Sequence, residues 1–140
     1  MAAVLLAGAG AAALALAARR GLAVVEVVGE SMVPTMLPGD RLLAVRLPRL
    51  ARRGRCVILR EEVPTPEREM MVVKRLMAMG GDPVPPGVRR FPGDGGGNRV
   101  PPGKVVVFGD GTHSTDSRQY GFVAESKIAA VVVTKLSGAR

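Results

Sequence analysis

The run EMMVVKRLMAM at residues 69–79 sets Lys74 and Arg75 into a stretch of valine, methionine, leucine and alanine. Such a run fits a pleated, largely buried strand. Five others resemble it: GLAVVEVVG (21–29), DRLLAVRLP (40–48), RCVILRE (55–61), KVVVFGD (104–110) and KIAAVVVTKL (127–136). Turn chemistry separates most of them, as in VPTMLPGDR (33–41) and VPPGK (100–104). Proline fixes φ there, and glycine supplies the positive φ that other residues resist. The chain therefore reads as mainly β. The segment 80–103, GGDPVPPGVRRFPGDGGGNRVPPG, is turn-rich and poor in apolar residues, and is expected to be a surface excursion.

The 140 residues suit one domain. Hydrophobic residues make up 47 % and aromatics only 3 %, so aliphatic side chains and methionine must fill the core. The net charge of +8 suits an anionic partner, either a lipid surface or nucleic acid. The basic residues are not interleaved with aromatics, which argues against nucleic acid. One cysteine, Cys56, and one histidine, His113, leave no disulfide framework and no multi-histidine metal site, so neither metal nor cofactor is expected. Residues 1–18 carry no charged side chain. As a helix they would extend about 27 Å, near a bilayer's hydrocarbon thickness. A membrane span, a cleaved signal peptide and a buried helix compete for this segment. The positive charges, Arg19 and Arg20, follow the apolar run rather than precede it, which favours a retained anchor over residues 1–20 ahead of a β-rich domain at 21–140.

A serine becomes a nucleophile only with a base to take its proton and donors to hold the resulting oxyanion. Ser31, in VVGESMVPTM (27–36), lies between a flexible glycine and a rigid proline. A histidine base would have to be His113, beside Asp110 and Asp116, but GDGTHSTDSRQYG reads as a polar loop. A lysine base must be neutral near physiological pH and hence buried among apolar groups. Lys74 has the most apolar setting of any lysine in the chain; a strand lysine reaching solvent is the competing reading. The adjacent Arg75 is expected to lower the Lys74 pKa further through like-charge repulsion.

Four boxes taken together resemble the type I signal peptidase family, membrane-bound Ser–Lys endopeptidases. They are GESMVPTMLPGD (29–40), RRGRCVIL (52–59), VVKRLMAMGGD (72–82) and VPPGKVVVFGDGTHSTDSRQYG (100–121), in the family's order. The resemblance implies antiparallel β-sheets in a compact, partly barrel-like catalytic domain after one N-terminal transmembrane helix. It implies Ser31 as nucleophile, with its backbone N–H donating to the oxyanion, and Lys74 as general base. It further implies Ser114 as the residue orienting the lysine amine, and Asp116 with Arg118 as a bracing ion pair. Gly29 occupies the position where some members add a hydroxyl. Met32 is a candidate contact to substrate or membrane, with a core methionine as the commoner case. The last box reads GDG where the family usually has G-D-N, and Arg55 stands where an aspartate is common.

The implied function is cleavage of signal or leader peptides from exported proteins, after small side chains. The implied location is the cell membrane, single-pass, with the catalytic domain on the extracytoplasmic face. The implied partners are preprotein or leader-peptide substrates and the lipid bilayer. A dedicated maturation protease, of the kind that trims nickel superoxide dismutase, shares the same machinery. A non-catalytic, membrane-tethered basic module is the reading from a different class, and it would be indifferent to Ser31→Ala.

Overall fold

The structure is a computed structural model that describes residues 20–61 and 70–137. Seven strands form it: β1 (Leu22–Glu26), β2 (Arg41–Val45), β3 (Cys56–Glu61), β4 (Met70–Met79), β5 (Lys104–Phe108), β6 (Val123–Ala124) and β7 (Ile128–Ser137). One short helix, α1 (Ser117–Tyr120), precedes β6. All six apolar runs contain a strand.

The strands make one sheet in the order β1-β2-β7-β3-β4-β5-β6, and every neighbouring pair is antiparallel. This corrects the expectation of several sheets in a partly barrel-like domain. The sheet is open, with β1 and β6 as its edges. The edge strand β6 has only two residues, too few to carry a ladder that closes on β1. Strand β7 enters between β2 and β3, so the end of the described chain joins the two halves of the sheet.

Alternation along β3 and β4 sends neighbouring residues to opposite faces. Ile58 and Val73, cross-strand partners, pack with Met32, Met36, Leu42 and Ala44 on one face. Val57 and Leu76 pack with Leu59, Val105, Val107 and Ile128 on the other. The segment 80–103 is more than a surface excursion. It folds back on itself through an antiparallel bridge between Pro83 and Arg99. It also buries Val100 against Ala78 and Val106, with Val84, Val88 and Phe122 around them.

The anchor expected over residues 1–20 lies, apart from Arg20, outside the described residues. Among the described residues no helix is long and apolar enough to cross a membrane.

Candidate active site

The Ser31 loop is pinched at its base. After β1 the Val27 N–H donates to the Asp40 carbonyl at 2.8 Å, and the Gly39 N–H donates to the Val27 carbonyl at 2.8 Å. Asp40 is fully buried; its carboxylate accepts from the Leu37 N–H at 2.9 Å and from Lys135 Nζ at 3.1 Å. Inside the loop, Gly29 has φ of +83°, the left-handed region that only glycine enters freely. Met36 N–H closes a helical turn on the Met32 carbonyl at 3.0 Å. Met32 is 1 % exposed and belongs to the core, so its main part is to anchor the loop from below. Ser31 itself is half-buried. Among the described residues its N–H donates to no protein group and its Oγ makes no hydrogen bond.

Strand β4 supplies Lys74. It pairs with Val57 and shares the face of Leu76, where it is 4 % exposed. Its Nζ donates to Ser114 Oγ at 2.9 Å. Burial pushes the Lys74 pKa down, and the Arg118 charge adds to this; Asp116 and Glu61 pull it partly back. The like-charge neighbour is therefore Arg118, not Arg75 as the sequence suggested. Arg75 is one residue along a strand and so faces the other way.

Arg75 grips Asp110 with two hydrogen bonds, Nε to Oδ1 at 2.9 Å and Nη2 to Oδ2 at 2.6 Å. Its Nη1 donates to the Gly54 carbonyl at 2.7 Å. Thr35 Oγ1 donates to Asp110 Oδ2 at 2.6 Å. One carboxylate thus ties the Ser31 loop to the lysine strand and, through Arg75, to the turn before β3. Sequence reading weighed Asp110 only as a partner for His113 and missed this network. Its members are up to 75 residues apart in sequence.

The segment from Gly109 to α1 completes the site. Asp116, 0 % exposed, accepts from the Gly109 N–H at 2.7 Å and from Arg118 Nε and Nη2 at 2.9 and 2.6 Å. It also caps α1, exchanging hydrogen bonds with Gln119 in a capping box. Burial opposes ionisation of Asp116, but Arg118, the backbone N–H groups of Gly109 and Arg118, and the Ser114 hydroxyl together bring its pKa down to about 2. The Gly111 N–H donates to the Ser31 carbonyl at 2.8 Å. At Gly109 a Cβ would overlap both the Ser114 side chain and the Ser31 carbonyl oxygen. Gly109 is therefore the point where the Ser31 backbone and the Lys74–Ser114 pair converge.

His113 is exposed, with its Nδ1 at 3.2 Å from Thr112 Oγ1. Both carboxylates weighed for it are held by arginines. Beside Ser31 lies a cleft of about 80 Å3 bordered by Val25, Val27, Met32, Met71, Val72 and Val73, among others. The sequence could not pick out these lining residues, because β1 and β4 are not neighbours in the sheet.

The family model described as "Signal peptidase, peptidase S26" matches residues 1–89 and 85–136. The chain belongs to this family. The signal peptidase match runs through Ser31 and Lys74 in its first part and through Ser114, Asp116 and Arg118 in its second. A search of curated proteins found no match to the chain.

Proposed function

We propose that the protein is a serine endopeptidase that removes signal or leader peptides by a Ser–Lys mechanism. The observation that carries this reading is the buried amine of Lys74, 2.9 Å from Ser114 Oγ and gathered around Gly109 with the backbone of Ser31. Neutral Lys74 takes the Ser31 Oγ proton as that oxygen attacks the scissile carbonyl. The oxyanion forms against the Ser31 N–H, which makes no hydrogen bond among the described residues. The lysine ammonium then gives its proton to the departing amine, which leaves an acyl ester on Ser31. A water molecule, deprotonated by Lys74, attacks that ester and restores the serine. Ser114 accepts from Lys74 and donates towards Asp116, which fixes where the amine points.

The cleft beside Ser31 is the smaller of the two that border the loop, about 80 against 280 Å3, which supports small side chains before the cut. The uncharged run 1–18 supports an N-terminal anchor that holds the domain at the bilayer. The test is cleavage of a synthetic Ala-X-Ala leader peptide by the purified protein, beside Ser31→Ala and Lys74→Ala. Both variants should be inactive while remaining folded. Turnover surviving in either would refute the dyad.

A further inference from the structure

Two cavities border the Ser31 loop, and they share no lining residue. The first contains Ser31 and is lined by Glu26 as well as by valine and methionine. The second has about 280 Å3 and lies between Glu30, Val33 and Pro34 of the loop and residues 110–113 opposite. A peptide whose small side chains fill the first cavity must cross Ser31 to be cut. The second cavity, lined by Glu30, Val33 and Pro34 of the same loop, is the other one available to its continuation.

The charges of that cavity are uneven. Asp110 is already neutralised by Arg75 and bound by Thr35. Glu30 is exposed and, among the described residues, forms no ion pair. No lysine or arginine is among the described residues that line the cavity, and Arg75, which holds Asp110, has its nitrogens committed to Asp110 and the Gly54 carbonyl. Val33 and Pro34 offer an apolar wall along which a long aliphatic stem can lie, as lysine and arginine stems do.

We propose that this second cavity holds the residues that follow the scissile bond, and that Glu30 selects a lysine or arginine side chain there. The inference rests on Ser31 being the nucleophile. It runs against the bulk electrostatics, because a chain of net charge +8 would by itself favour acidic peptides. The two influences therefore predict opposite signs.

The experiment uses the full chain in detergent micelles and three peptides with the same Ala-X-Ala leader. They carry Lys, Gln or Glu at both of the first two positions after the bond. The expected result is a kcat/KM for the Lys peptide on the order of fivefold above that for the Glu peptide at low salt, the size of one exposed ion pair. The ratio should fall towards one at high salt. It should also fall in Glu30→Gln but not in Glu125→Gln, and rise in His113→Asp, which adds a carboxylate to the same cavity. Because each ratio is taken within one variant, a general loss of turnover cancels. A wild-type ratio at or below one overturns the proposal, as does a ratio unchanged by Glu30→Gln and His113→Asp. If the wild-type protein cuts none of the three peptides, the Ser–Lys reading falls, and this inference with it.

Discussion

Replacing Gly109 with alanine tests the convergence of the site with a single methyl group. The residue has no positive φ, so its backbone tolerates alanine and the effect is steric. The added carbon would sit closer than 3.0 Å to both the Ser114 side chain and the Ser31 carbonyl oxygen. Gly109 has little freedom to retreat, because its N–H is bound by Asp116 at 2.7 Å and its carbonyl by Arg118 at 3.1 Å. Displacement therefore falls on Ser31 and Ser114, by roughly half an ångström or more in an interior packed as densely as a crystal. Overpacking of this kind costs about 1–3 kcal/mol, which most domains survive. Misplacing catalytic groups by about an ångström costs on the order of a hundredfold in rate. We expect kcat on the leader peptide to drop about a hundredfold with far-UV circular dichroism unchanged and Tm lowered by several degrees. Gly97→Ala, whose Cβ would meet nothing closer than 4.0 Å, is the control. A folded Gly109→Ala protein with wild-type kcat would refute the idea that Ser31 and the Lys74–Ser114 pair work as one unit.

The burial that lowers the Lys74 pKa predicts that kcat/KM rises with pH on a single ionisation well below that of free lysine; an activating limb at the free-lysine value would remove Lys74 as base. Lys74→Arg should be inactive at every pH, because a guanidinium keeps its proton. The unfolded chain binds a proton at Lys74 that the native state has released, so this group makes stability rise with pH between its folded and unfolded pKa values. Asp116 gives a dependence of the same sign in a more acidic window. Its carboxyl, held at about 2 against 3.8 unperturbed, contributes about 2 kcal/mol that is present above pH 4 and lost as pH falls through 2. Urea titrations of wild type and Asp116→Asn should therefore differ most near neutrality and converge in acid, and a gap independent of pH would contradict this assignment.

The strands were legible because each is a short aliphatic run, most of them set off by proline or glycine, and finding such a run needs no long-range information. Strand β6 was not legible, since two residues of intermediate burial leave no pattern. Openness of the sheet was not legible either, because closure depends on whether two edges meet and not on any one strand. In the site, Ser31, Lys74, Ser114, Asp116 and Arg118 could be singled out in sequence because the boxes carry them. The Thr35–Asp110–Arg75 network could not be, since nothing local marks Asp110 as the partner of residues 35 and 75 positions away.

Lys74 and Arg75 are adjacent, and adjacency invites the thought that their charges repel. A strand reverses that logic, because its period of two makes sequence neighbours the residues least able to share a face. The register bears this out: Lys74 lies opposite Val57 and Arg75 opposite Cys56, on faces that feed different parts of the core. On one face the amine is desolvated and its hydrogen bond goes to a hydroxyl, so burial outweighs the pull of Asp116 and Glu61 and favours the neutral form. On the other the guanidinium, permanently charged and forked, meets a carboxylate in two-point contact that suits it. Two cations side by side in sequence thus acquire opposite assignments from a single geometric rule. The lysine is prepared to lose its proton, and the arginine is placed to clamp together the loops that surround it.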